Sequence, residues 1–128
     1  MNPELEPTYT HDPLSEAEIG CAFRVANGLG TDFLEMVYEN ALAHELCKAG
    51  LAAEQQVTAT VYYDGQNVGN YIADIVVEGQ LVLELKACKN LDDLHLAQCL
   101  NYLKATGLHT YLLINFGTAK PLIRRISR

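Results

Sequence analysis

Three charged residues interrupt an apolar stretch near the middle of the chain. The segment IADIVVEGQLVLELKAC, residues 72–88, has the composition of two buried strands joined by a turn, and its strands carry Asp74, Glu84 and Lys86. Charged groups are costly to bury without partners. Carboxylates bind divalent cations such as Mg²⁺, and a nearby lysine can orient a water molecule or stabilise negative charge. Their spacing alone favours a cross-strand ion network. The chemical alternative is a divalent-cation site at which the lysine orients or activates a water molecule.

The alternation of side chains along these two strands predicts their register. Each strand has a row of apolar residues on one face: Ala73, Ile75 and Val77 on the first, and Leu81, Leu83 and Leu85 on the second. A slip of one residue would turn either row away from the core. Val77 should therefore oppose Leu81 across a three-residue connection, 78–80. The same register places Asp74 opposite or beside Glu84, with Lys86 one step along.

Helix signals precede this hairpin. The sequence SEAE at 15–18 is a capping-box signature, so Ser15 should begin a helix that reaches about Asn27. Asp32 is expected to cap a second helix that ends before Gly50. The apolar stripe of the second helix is expected to consist of Phe33, Leu34, Val37, Ala41, Leu42 and Leu46.

Strand signals dominate the rest of the chain. We expect strands at 56–63, 67–77, 81–87, 109–117 and 121–127, with a helix at 91–106 before the last two. The order is helix, helix, three-strand meander, helix, strand, strand. This order predicts an α/β fold of the α+β sandwich type, with helices covering a mixed sheet.

Composition and charge limit the classes of function. The 128 residues are 49% hydrophobic, which predicts one domain at 14–128 behind a flexible arm at 1–13. No signal peptide or membrane span is recognisable, so a cytoplasmic location is expected. The four cysteines lack the spacing of a zinc site. A net charge of −7 argues against a protein that coats nucleic acid nonspecifically, although the end of the chain, 120–128, is basic.

Two motifs resemble those of known nucleases. Asp74 followed after nine residues by ELK, which supplies Glu84 and Lys86, resembles the D-x(n)-(D/E)-x-K pattern of the PD-(D/E)XK nuclease superfamily. Ala73 stands where the nominal motif has proline. The sequence QCLNY resembles the Q-x-x-x-Y motif of RecB-type nucleases. The order of elements is also similar to the restriction-endonuclease-like core of that superfamily.

Longer stretches resemble the GxxExxY family of small proteins with the nuclease fold. These stretches are DFLEMVYENALAHEL, VGNYIADIVVEGQLVLELKA, AQCLNYLKATG, LLINFG and RRI. Glu35 and Tyr38 match the naming motif. Asp32 stands where that family has glycine, at the start of the second helix.

The resemblance implies a Mg²⁺-dependent nuclease, with Mn²⁺ as a substitute, that hydrolyses phosphodiester bonds with a metal-activated water. Asp74 and Glu84 would be metal ligands and Lys86 the residue that orients the water or stabilises charge. The backbone carbonyl of Leu85 would be a third ligand and Glu35 an accessory one. The residues expected to position substrate are Gln98, Tyr102, Lys89 and Arg125, with Arg124 as a further residue that could meet phosphates.

The partner implied by this resemblance is nucleic acid, bound weakly, with DNA favoured over RNA. On the last strand Arg125 is expected to be more exposed than Arg124, because Arg124 shares its parity with two apolar residues. A homodimer is left open. The alternative function is a binding or assembly module on the nuclease fold without catalysis, because fold does not dictate function and the chain is small and acidic.

Overall fold

The structure is a computed structural model that describes residues 5–6, 13–89 and 93–128. Its helices are α1 (Pro13–Leu29), α2 (Glu35–Lys48) and α3 (Asp93–Thr106). Its strands are β1 (Leu5–Glu6), β2 (Ala53–Tyr63), β3 (Gln66–Val77), β4 (Leu81–Lys86), β5 (Thr110–Asn115) and β6 (Leu122–Ser127). The short β1 lies within the predicted arm and pairs with β6; the other ten residues of 1–12 lie outside the described part of the chain.

The strands form one mixed sheet in the order β1-β6-β5-β4-β3-β2. Only the β4–β5 pair is parallel within this sheet, and α3 connects these two strands. One core packs α1 and α2 against the sheet and includes Leu42, Leu83 and Ile114. A second core on the α3 side includes Val82 and Leu103. The predicted α+β sandwich is therefore confirmed.

The predicted register of the β3–β4 hairpin is also confirmed. Val77 pairs with Leu81, and the ladder continues through Ile75 and Leu83. The connection is the three residues 78–80, and the amide of Gln80 donates to the carbonyl of Val77 at 3.0 Å. Glu78 and Gly79 have φ values of 56° and 65°, the left-handed conformation that tight hairpin turns use.

The predicted apolar row of β3 is only partly right. Ile75 and Val77 pack in the core of α1 and α2, whereas Ala73 packs in the core of α3. The neighbouring strand changes face at the same level, because Val57, opposite Ala73, also contacts the α3 side. Gln56, the residue before Val57 on β2, has a φ of 56° and breaks the regular alternation of that strand.

The predicted helix starts were wrong in both N-terminal helices. α1 begins at Pro13, so Ser15 and Glu18 lie inside the helix and are buried instead of forming a capping box. α2 begins at Glu35 without a side-chain cap, and Asp32 has a φ of 80° instead of capping it. Glycine would adopt this left-handed conformation without the steric cost that the Asp32 side chain adds.

Tyr38 closes the connection between α1 and α2. Its hydroxyl donates to the carbonyl of Gly30 at 2.7 Å and accepts from the amide of Phe33 at 3.3 Å. Its ring stacks on Phe116 with centroids 4.7 Å apart. The buried face of α2 is therefore formed by Tyr38, Glu39, Leu42 and Leu46. The predicted stripe was wrong in its first half, because Phe33, Leu34 and Val37 are exposed.

Asn115 fixes the backbone that follows β4. The fully buried Asn115 donates to the carbonyl of Cys88 at 2.7 Å, and its Oδ1 accepts from the amides of Cys88 and Gly117. An added Cβ at Gly117 would overlap the carbonyl oxygen of Cys88 and lie 2.6 Å from its amide nitrogen. Close packing at a residue without a side chain therefore holds the end of β4, which carries Lys86.

No helix among residues 13–89 and 93–128 is long and apolar enough to cross a membrane.

We predict that Gly117→Ala destabilises the fold by more than about 2 kcal/mol, because backbone at Cys88 and not a flexible side chain must move. The matched control is Gly28→Ala, since Gly28 lies in α1 and nothing would lie within 4 Å of its new Cβ. That control should be neutral or stabilise by up to about 1 kcal/mol. Urea unfolding measures both, and equal midpoints for the two variants would contradict the packing argument.

Candidate functional site

Asp74 and Glu84 face each other where β3 and β4 separate. The regular ladder ends at Ile75 and Leu83, so Asp74 and Glu84 form the next position in register. There the Oδ2 of Asp74 accepts from the amide of Leu85 at 2.8 Å. The two carboxyl groups are near enough to interact by a hydrogen bond as well as by charge. The structure thus brings together the two acids that the register placed side by side.

Glu84 is largely buried on the α3 side of the sheet. Burial raises the pKa of its carboxyl from the ordinary 4.5 to about 8, and the charge of Asp74 adds to this effect. A hydrogen bond from the hydroxyl of Tyr111 and the charge of Lys86 act in the opposite direction. At neutral pH and without a cation, this carboxyl therefore holds its proton.

Lys86 and the carbonyl of Leu85 complete the end of β4. Lys86 is half-buried and lies on the same face of the strand as Glu84, two residues along. In an extended strand the N–H and C=O of one residue point to the same side, and the amide of Leu85 points to Asp74. The carbonyl of Leu85 therefore also points to the side on which Asp74 lies.

A third acid, Glu39, reaches this position from α2. Its side chain is only 3% exposed. Its Oε2 accepts from the side-chain amide of Gln55 at 2.8 Å, and its Oε1 accepts from the side-chain amide of Gln56 at 2.7 Å. Burial raises the pKa of Glu39, and the charge of Asp74 raises it further. Sequence reasoning missed Glu39; the signal that could have found it is its place next to Tyr38, on the helix face that continues through Leu42.

Gln56 links the two acids that belong to different elements. Its side-chain amide donates to Glu39, and the nitrogen of that amide also lies 3.4 Å from the Oδ1 of Asp74. Its left-handed backbone is uncommon for a residue other than glycine and costs free energy unless the surroundings enforce it. This conformation turns a strand residue towards the space between two carboxylates.

The other residues predicted for the site are more dispersed. Glu35 is exposed in the first turn of α2, and Gln98 and Lys89 are exposed. Tyr102 is buried, and its hydroxyl donates to the carbonyl of Val57 at 3.1 Å. Gln98 and Tyr102, four residues apart on α3, thus differ in burial, and the roles of these residues remain predictions.

The two arginines of β6 lie on opposite sides of the sheet. Arg125 donates to the hydroxyl of Ser15 at 3.2 Å, on the α1 side. Arg124 pairs with Leu113 of the α3-side core, so it lies on the side of Glu84. Both arginines are half-buried, so the structure shows no clear difference in exposure in favour of Arg125. The hydrogen bond to α1 explains why.

The chemistry of the acids fits a hard divalent cation. Among residues 5–6, 13–89 and 93–128 no three histidine, cysteine or acidic side chains are already grouped as for a metal ion. Asp74 and Glu84 nevertheless provide carboxylate oxygens, which Mg²⁺ prefers, and Glu39 lies next to Asp74. Burial and the charge of Asp74 raise the pKa of Glu84 and of Glu39, and a bound cation would offset both effects. For a cation to bind between Glu39 and Asp74, the side-chain amide of Gln56 would have to move.

We predict that Glu84→Gln removes most of the pH dependence of stability in the absence of metal. The folded protein keeps a proton on Glu84 up to about pH 8, whereas an ordinary carboxyl releases it near 4.5. The free energy of unfolding should therefore fall as pH rises from 4.5 to 8 and then level off. At pH 8.5 the free energy of unfolding of the variant should exceed that of the wild type, by a few kcal/mol at most, because one pKa unit corresponds to about 1.4 kcal/mol.

Urea unfolding in a chelator at pH 5 and pH 8.5 measures this effect. Glu35→Gln is the control, because it removes an exposed carboxylate and should keep the slope of the wild type. A small slope should remain in Glu84→Gln because the pKa of Glu39 is also raised. An unchanged slope in Glu84→Gln would show that Glu84 is ionised in the folded protein.

Comparison with known proteins gives the family of this chain. No match is found among curated proteins, and none among solved structures. A family model of the PD-(D/E)XK nuclease superfamily matches residues 12–126. This range contains Asp74, Glu84 and Lys86, the three helices, strands β2 to β5 and all but the last residue of β6. The chain belongs to the PD-(D/E)XK nuclease superfamily.

Proposed function

We propose that this protein is a Mg²⁺-dependent nuclease that hydrolyses phosphodiester bonds, with Mn²⁺ able to replace Mg²⁺. The observation that carries the proposal is the Asp74–Glu84 pair, in which burial and mutual repulsion keep a proton on Glu84. Two acids held together in this way are poorly satisfied without a cation. Membership of a nuclease superfamily indicates which reaction such a site serves.

The residues around the end of β4 then have separate tasks. Asp74 of β3 is held by the backbone amide of Leu85, which leaves its other lone pairs for a cation. The ligands from β4 would be the carbonyl of Leu85 and the carboxylate of Glu84. When bound, the cation supplies Lewis acidity and a more acidic water. Lys86 lies beside these ligands and orients that water or stabilises the charge that develops on the phosphate.

Glu39 is the helical carboxylate of this proposal. The sequence prediction gave that role to Glu35, one turn earlier on α2. Glu39 is buried and interacts with Asp74 by charge and by a hydrogen bond, whereas Glu35 is exposed. A side chain that already faces Asp74 needs less rearrangement to contribute an oxygen.

The substrate of the proposal is nucleic acid, with DNA favoured over RNA, and binding is weak because the chain carries a net charge of −7. Lys86 and Arg124, on the face of Glu84, and Lys89 are the cations that would meet phosphates, with Gln98 and Tyr102 on α3. The proposal includes membership of the GxxExxY family and a cytoplasmic location. The φ of 80° at Asp32 supports that family, because its members have glycine there.

A binding module without catalysis is the second candidate. It is favoured by the proton on Glu84 and by the Gln56 amide that lies between Glu39 and Asp74. Both features keep the acids together without a cation. The two functions differ in whether metal binding is followed by cleavage.

We predict that Glu39→Gln weakens Mn²⁺ binding by about 10-fold or more, because it removes a charge directly beside Asp74. Glu35→Gln should change the affinity by less than about 2-fold, since an exposed charge is screened by solvent. Isothermal titration calorimetry at constant pH measures both dissociation constants. The reverse order of effects would restore Glu35 as the helical ligand.

A cleavage assay distinguishes the enzyme from the module. Single-stranded and double-stranded DNA and RNA are incubated with the protein and Mg²⁺ or Mn²⁺. Lys86→Ala should bind Mn²⁺ normally and lose about 100-fold or more in cleavage rate, because it removes charge stabilisation in the transition state. Asp74→Ala should lose both metal binding and cleavage. Metal binding without cleavage of any substrate by the wild type would favour the module.

A further inference from the structure

Tyr111 stands between an acid and a thiol inside the α3-side core. Its side chain is 1% exposed, and its hydroxyl donates to the Oε2 of Glu84. The side chain of Cys99 on α3 lies near enough to the same hydroxyl for the two groups to influence each other's pKa. Tyr111 lies on β5, opposite Val82 of the parallel neighbour β4, so it approaches Glu84 from the next strand.

The geometry gives the direction of the hydrogen bond between Tyr111 and Glu84. The Tyr111 hydroxyl has a single proton and donates it to Oε2 of Glu84. Burial raises the pKa of the Cys99 thiol to about 12, so this thiol keeps its proton and places no second negative charge beside Tyr111.

Packing holds the ring of Tyr111 in one place. The ring meets the edge of Tyr102 with centroids 6.3 Å apart and an interplanar angle of 74°. Tyr102 is itself fixed by its hydrogen bond to the carbonyl of Val57. Side chains in a closely packed core do not change rotamer freely. Tyr111 thus presents a hydroxyl at a fixed point beside Glu84.

We propose that Tyr111 is a positioning residue, which fixes the carboxylate of Glu84 in the orientation needed to bind a divalent cation. The inference rests on the proposed metal site and adds a residue from β5 to it. Tyr111 occupies one lone pair of Oε2 and leaves the remaining lone pairs of Glu84 available. Partners that orient a metal ligand typically contribute 10-fold to 100-fold to metal affinity.

Tyr111→Phe is the variant that tests this inference, since it keeps the ring and removes the hydroxyl. Mn²⁺ binding should weaken by about 10-fold at an unchanged stoichiometry. The matched control is Tyr71→Phe, which removes a hydroxyl from a tyrosine packed against the same core. The control should keep the dissociation constant of the wild type within about 2-fold. Isothermal titration calorimetry at one pH measures all three proteins.

A second measurement needs no metal and separates positioning from packing. Thermal unfolding in a chelator is measured for the wild type, Tyr111→Phe, Glu84→Gln and the double variant. If the hydroxyl acts on Glu84, the two shifts in melting temperature should not add. The same cycle with Tyr71→Phe should be additive. Additive shifts for Tyr111 would show that the tyrosine only fills space.

The outcomes separate this inference from the proposed function. If the wild type binds Mn²⁺ and Asp74→Ala does not, the metal site stands. Tyr111→Phe with the affinity of the wild type would then overturn the positioning role alone. If the wild type binds no Mn²⁺, or Asp74→Ala binds it equally well, the metal site falls and the role of Tyr111 falls with it.

Discussion

The hydrogen bond from the amide of Leu85 to the carboxylate of Asp74 is the constraint on which the site depends. β3 and β4 separate at this point, and a main-chain donor at the end of a ladder must find another acceptor. Asp74 provides that acceptor. The bond therefore satisfies the backbone of β4 and holds an acid against Glu84 at the same time. One hydrogen bond thus serves both the fold and the candidate site.

The acids of the site come from both layers of the sandwich. Glu84 lies on the α3 side with Tyr111, whereas Glu39 comes from α2, which packs on the other side. They meet at Asp74 because β2 and β3 change face at Gln56 and Asp74. The strained backbone of Gln56 is thus the local cost of bringing together side chains that a regular sheet would keep apart.

The sequence was informative where a short-range rule determines the outcome. Alternation along β3 and β4 was enough to predict the Val77–Leu81 register and the meeting of Asp74 with Glu84. It was not enough for Ala73, because the change of face depends on the conformation of Gln56 in another strand. Tyr38 likewise turns inward through contacts with Gly30 and Phe116, which lie far apart in the sequence. That inward turn buries Glu39 and leaves Glu35 exposed.

A cation bound at Asp74 would connect three elements of the fold. Glu39 belongs to α2, Asp74 to β3 and Glu84 to β4, and burial together with the charge of Asp74 raises the pKa of the two glutamates. A ligand that binds only the folded state stabilises it by mass action. Relief of the repulsion between these acids would be part of the binding free energy, so metal binding would be coupled to the stability of this part of the fold. The Gln56 amide between Glu39 and Asp74 explains how the fold holds together before a cation arrives.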